Sequence, residues 1–212
     1  MPAPANNTQP TGFGYYIVYQ VILTPNVMKK IIFLAFLVAG GLTVQSCGSE
    51  KKDSTEQAED MNEAKATAVA DDDAEFAVKA ANGGMMEIEA GRLAQEKGMS
   101  PAVKEFGAMM VKDHSAASDE LKSIAMSKNI TLPATLGEDM QKHIDELAKL
   151  SGKEFDKKYV DMMVDDHEDD VKEFEKAGEN AKDPELKAFA AKTAGVVKGH
   201  LERITTIKAD MK

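Results

Sequence analysis

The chain has a single cysteine, Cys47, and no tryptophan among its 212 residues. A lone cysteine excludes an internal disulfide and any zinc site built from cysteines. Aromatics make up only 6% of the residues, and 26 Lys and Arg stand against 36 Asp and Glu, a formal net charge of −10. Phosphate binding needs clustered basic side chains, so this balance argues against nucleic acid as a partner. It also argues against docking on anionic lipid through a basic face. No segment from residue 71 onward sustains the apolar–polar alternation of a strand. There is no Ser/His/Asp set, no cysteine nucleophile in a catalytic setting and no phosphate loop, so the sequence offers no support for an enzyme.

What remains favours helix. Ala, Lys and Glu are plentiful, and there are 13 Met. The N-terminal part reads as targeting. In residues 28–47, Met28-Lys29-Lys30 precedes a 14-residue apolar run from Ile31 to Val44, and Val44-Gln45-Ser46-Cys47 follows. These are the three regions of a secretory signal. The run is shorter than the roughly 20 residues that a spanning helix needs. The last four residues resemble a lipobox, although Gln45 stands where a small residue is commoner. Cys47 is therefore the expected lipidation site, with the membrane as partner and the bacterial cell envelope, on its periplasmic or surface side, as location. The competing reading is an uncleaved signal anchor. Residues 1–27 read as a mis-called leader or an extended n-region. Residues 48–70 have almost no large apolar side chain, and a flexible tether is expected there.

From Asp71 the apolar residues recur at spacings of three and four, with legible caps. Asp71-Asp72-Asp73 opens a helix stopped by Gly98. Ser100-Pro101 opens a second, running to about Lys128. Thr135 to Glu138 is a capping box for a short connector helix ending near Leu150, and Ser151 to Glu154 is another for a long helix to about Gly178. Asp183-Pro184 opens the last, to about Met211. The fold expected over 71–212 is all-α: a ferritin-like four-helix bundle with a short extra helix between helices two and three.

An internal repeat supports this. Phe106, Met109, Met110, Val111, Asp113 and His114 match Tyr159, Met162, Met163, Val164, Asp166 and His167 at an offset of 53. On the inward stripe of each long helix the residues are apolar or small except for one: Glu87, His114, His167 and His200 in turn. Each lies near the middle of its helix, so the four are expected in one layer. Burying them without partners would cost several kcal/mol each. Three His and one Glu suit a first-row divalent metal. Met110 and Met163, one turn before the histidines, would favour copper. Asp113 and Asp166 are expected to support the layer from a neighbouring helix or from outside the ligand set. The other reading is a closed hydrogen-bonded layer that fixes helix register and binds nothing. On that reading the chain is a non-catalytic envelope protein that binds a partner protein or the cell wall. No His has a Glu three residues before it, as a di-iron Glu-x-x-His site requires.

Further residues carry a family resemblance: Ala80-Ala81-Asn82-Gly83-Gly84 with Glu87 and Glu89, the paired Met-Val-x-Asp-His motifs ending at His114 and His167, Leu132-Pro133, Leu150-Ser151-Gly152 with Phe155-Asp156, Asp183-Pro184 with Leu186 to Ala190, and His200-Leu201. Over about residues 72–211 the chain resembles the domain of unknown function 4142 family, ferritin-like bundles in exported or membrane-attached bacterial proteins. The resemblance implies the fold and the export. It implies no activity, since the family has no settled function.

Overall fold

A computed structural model describes residues 52–65 and 67–211, all within one compact unit. The readings made for residues 1–27, the signal region, Cys47 and residues 48–51 lie outside the described residues. The described residues are all-helical, with six helices and no strand. They are α1 (Ser54–Ala64), α2 (Asp71–Lys97), α3 (Pro101–Ser127), α4 (Glu138–Ala148), α5 (Gly152–Asn180) and α6 (Pro184–Asp210). None of them is long and apolar enough to cross a membrane.

Short connections make α2 fold back on α3, and α5 on α6. These two pairs meet through α3 against α6 and α2 against α5, so the four long helices close a ring in the order α2, α3, α6, α5. Two apolar clusters fill it. One holds Phe106, Met110, Phe155, Tyr159 and Met163; the other holds Phe76, Leu121, Phe174, Leu186 and Phe189. The repeat lies across the ring. Phe106 and Tyr159, its equivalent positions, meet edge to face with centroids 6.2 Å apart.

The pair α2–α3 is set by glycine. A Cβ on Gly91 would lie 2.7 Å from the Gly107 carbonyl oxygen, and one on Gly107 would lie 2.7 Å from Ala94 Cβ. No other residue permits this approach. It occurs one turn from Glu87 and two from His114, and so fixes the spacing of the two helices where their polar side chains meet.

Two helix starts follow the sequence closely. Pro101 and Pro184 occupy the first helical turn, and Asp183 accepts from the Glu185 and Leu186 amides at 3.0 and 3.1 Å. Elsewhere the caps are exchanged between elements. Ser100 and Ser151 make no side-chain cap bond, and α4 starts at Glu138 behind Gly137 rather than behind Thr135. The Met99 and Ser100 amides instead donate to Asp156 of α5, at 2.9 and 2.7 Å. Asp73 does not cap its own helix. It accepts from the Lys182 and Asp183 amides ahead of α6, at 3.0 and 2.7 Å. A carboxylate from another helix satisfies the same orphan amides as a local cap would.

The expectation of a tether over 48–70 needs correction. Residues 54–64 form α1, which packs on α2. Only Ala58 and Asn62 of α1 are buried, so apolar burial contributes little. Polar contacts hold it instead. Asp53 caps α1 through the Thr55 amide at 2.7 Å and also accepts from the Glu138 amide that starts α4. Asn62 bonds both the amide and the carbonyl of Thr131, at 2.6 and 2.9 Å.

Candidate metal centre

Each long helix contributes one strongly polar side chain to the centre of the ring. Glu87 on α2, His114 on α3, His167 on α5 and His200 on α6 are all buried, none more than 6% exposed. The structure brings the four together. Glu87 Oε2 lies 2.7 Å from His114 Nδ1, and Oε1 lies 3.4 Å from His167 Nε2. The imidazole centroids are 5.2 to 5.9 Å apart. One ring nitrogen from each of the three histidines lies within 4.8 Å of the other two.

The hydrogen bonding of the rings follows one pattern. His167 Nδ1 is 2.9 Å from the Met163 carbonyl. A carbonyl only accepts, so Nδ1 carries the proton and Nε2 presents a lone pair. His200 Nε2 is 3.2 Å from Asp113 Oδ2 on α3. His114 Nδ1 is engaged by Glu87. In all three rings the other nitrogen, His114 Nε2, His167 Nε2 and His200 Nδ1, is buried and has no hydrogen-bond partner. Metal-binding imidazoles are commonly held this way, one nitrogen steadied by a carboxylate or carbonyl and the other left free.

The supporting residues divide. Asp113 reaches the neighbouring helix, as its position relative to His114 implied. Asp166 joins the centre: with Glu87 and His167 it offers a second set of ligand atoms within 4.8 Å, and its Oδ2 has no partner. Met110 and Met163 are fully buried in the apolar cluster. The contribution of Met163 to the layer is its backbone carbonyl, a consequence of the spacing of four to His167.

Two groups were missed by the stripe reading. Asp170 lines the same small cavity as Glu87 and is one turn beyond Asp166 on the same face of α5. That i, i+4 relation was the available signal. The Tyr159 hydroxyl is buried without a partner. Burial and the Glu87 charge push it well above the ordinary phenol range.

Electrostatics follow from burial. Loss of water, with the nearby Asp166 charge, raises the Glu87 carboxyl well above its ordinary value. The same loss raises Asp166 to about 8, with Asp170 adding to it, and raises Asp170 well above the usual range, with Glu87 adding to it. Burial lowers all three histidines, and the other two imidazoles help to bring His167 down to about 3. Among the described residues, no Lys or Arg pairs with Glu87, Asp166 or Asp170.

The layer is not sealed. A groove of about 230 Å³ between α3 and α6 is lined by Asp113, His114, Glu120, Lys192, Thr193 and Val196. Asp113 on its wall has a side chain 30% exposed, against 4% for the His200 ring that it holds.

No curated protein and no solved structure matches this chain. A family model described as a domain of unknown function, DUF4142, matches residues 58–207. The match takes in most of α1, in keeping with its packing on α2. It spans well over half of the chain, which therefore belongs to the DUF4142 family.

Proposed function

We propose that this is an exported, lipid-anchored protein that binds a first-row divalent transition metal or copper through His114, His167 and His200, with Glu87 beside them. Its role on this reading is metal handling in the cell envelope. The four long helices would form a ferritin-like four-helix bundle around that centre. The observation that carries the reading is the shared pattern of the three rings: one nitrogen of each is held, and the other is buried and unpaired. A closed structural layer would have satisfied those nitrogens, because an unpaired buried acceptor costs about 1–3 kcal/mol. Three convergent imidazole lone pairs suit zinc, copper, nickel or iron, and the order of affinities favours copper over its neighbours. The groove at Asp113 supplies an approach from solvent. Export and lipidation rest on the signal-like run and Cys47.

Elemental analysis of the protein purified without chelating resin tests the reading, together with melting curves in added zinc and copper. Bound metal, or a melting temperature that rises with added metal in the wild type and not in His114→Ala or His167→Ala, is expected. Metal-free protein whose melting ignores both ions would reject it.

A further inference from the structure

We propose that the carboxylates on the α2–α5 side of the layer, Glu87, Asp166 and Asp170, form a second cation subsite. The centre would then take two divalent ions with Glu87 between them. This rests on the three histidines holding the first ion and extends that reading to the other side of the layer.

The geometry divides the ligands. Glu87 turns one oxygen to each side: Oε2 to His114, and Oε1 toward α5, where it has no hydrogen-bond partner although the side chain is 1% exposed. Asp166 Oδ2 is likewise without a partner, and one oxygen of that carboxylate lies within 4.8 Å of ligand atoms of Glu87 and His167. His167 has only one lone pair to give, because its Nδ1 proton is committed to Met163. It cannot serve two ions. If it completes the imidazole set, the oxygens of Glu87, Asp166 and Asp170 are left as a separate donor set of harder character.

Charge and space point the same way. Glu87, Asp113, Asp166 and Asp170 amount to four negative charges when ionised, and among the described residues no Lys or Arg pairs with the three on the α2–α5 side. One divalent ion offsets half of that charge, and two offset all of it. Buried charge without compensation is strongly unfavourable. A small cavity of about 20 Å³ touches Glu87, His114 and Asp170, walled on one side by Gly83 and Gly84. A void of that size holds about one water. A Cβ on Gly83 would meet nothing within 4 Å, so no side chain fills that wall.

Native mass spectrometry and elemental analysis of the full-length chain titrated with zinc chloride, and separately with manganese chloride, test the proposal. The wild type is expected to bind two ions per chain. The double variant Asp166→Asn, Asp170→Asn is expected to bind one and to keep the visible spectrum of cobalt held by imidazole. Asparagine keeps nearly the shape of aspartate, so a metal-free melting curve close to that of the wild type supplies the folded reference; Asp170→Asn alone is the reserve. A wild type that binds one ion with the imidazole spectrum intact overturns the second subsite and leaves the first. So does a double variant that still binds two. A wild type that binds neither zinc, manganese nor cobalt overturns both.

Discussion

His167 Nε2 faces Glu87 Oε1 across 3.4 Å without a hydrogen bond, because the ring proton is on the other nitrogen and points at the Met163 carbonyl. Two lone pairs facing one another underground repel unless a cation or a proton sits between them. In the metal-free protein the carboxyls around this point hold protons at neutral pH, with Asp166 raised to about 8 by burial and by Asp170. A metal must displace them. Zinc binding at pH 7 is therefore expected to release at least one proton, and affinity is expected to rise between about pH 6 and 8. Titration calorimetry in two buffers of different ionisation enthalpy counts the protons. Observed heats that are the same in both buffers, before any correction for buffer ionisation, would show that no proton leaves.

The same shifts set the stability of the metal-free protein. His167 has a folded pKa of about 3, below its unfolded value near 6.5, so its contribution is complete above 6.5 and is lost as pH falls toward 3. Asp166 has the opposite sign. Its folded pKa of about 8 exceeds the unfolded value of 3.8, so its contribution is present below 3.8 and is lost as pH rises through 8. From pH 3.8 to 6.5 the two slopes oppose one another, and above 6.5 only that of Asp166 remains. The metal-free melting temperature should therefore fall from pH 6.5 to 8.5, and saturating zinc should remove the fall. Scanning calorimetry at pH 5, 6.5 and 8.5 decides this, and a metal-free melting temperature that climbs with alkaline pH contradicts it.

The glycine contact between α2 and α3 has a measurable cost of disruption. A methyl on Gly91 would meet the Gly107 carbonyl oxygen at 2.7 Å, and backbone cannot swing away as a flexible side chain can. Overpacking of this kind costs about 1–3 kcal/mol. Gly91→Ala should lower stability by that amount in urea unfolding and should weaken metal binding by parting Glu87 from His114. Gly83→Ala, where the new methyl meets nothing within 4 Å, is the control and should raise stability by about 0.5–1 kcal/mol, because alanine is the better helix former.

Three-four spacing was enough to place the long helices and to single out Glu87, His114, His167 and His200, because a core helix facing an axis tolerates one polar residue only if that residue has a partner inside. The repeat was legible for the same reason. Phe106 and Tyr159 had to fill equivalent space on opposite sides. What escaped was everything polar that acts between elements. Asp73 read as a local cap, Asp156 only as part of the family pattern and Asp53 as part of a tether, yet each binds amides that start another segment. Asp170 escaped because the stripe runs through His167, and the face carrying Asp166 and Asp170 looks like solvated surface in one helix taken alone. α1 escaped because its sequence holds few large apolar residues, and its anchors are hydrogen bonds to partners 69 or more positions away.

Asp53 makes that last point testable. It joins the start of α1 to the start of α4, and the Thr55 hydroxyl and the Glu138 amide hold its carboxyl below its ordinary value of 3.8. Its contribution is thus present above pH 3.8 and is lost as pH falls below that. Asp53→Ala should cost about 0.5–2 kcal/mol, the usual value of a helix cap. Hydrogen exchange should quicken in residues 54–64 and at the start of α4, with the four long helices unaffected. Unchanged protection in α1 would show that Asn62 and the Ala58 contact suffice without it.

The groove between α3 and α6 gives Asp113 a part that Glu87 cannot play. Asp113 holds His200 Nε2 at 3.2 Å from a position that is 30% exposed, so it orients the ring and also meets solvent. An outer partner of a metal-bound imidazole is worth about 10- to 100-fold in affinity. Asp113→Ala should therefore weaken zinc binding by that factor while leaving the number of ions bound unchanged. Because the same carboxylate is a negative charge on the groove wall, the association rate should fall and lose part of its salt dependence. Glu120→Gln, farther out beside Lys192, separates the two effects. That variant should slow association without changing the final affinity by more than a few-fold, since Glu120 pairs with Lys192 at 2.7 Å and has no contact with any of the three rings. Stopped-flow mixing with zinc and a chromophoric competitor reads both quantities, and an Asp113→Ala protein with wild-type rate and affinity would remove Asp113 from the centre.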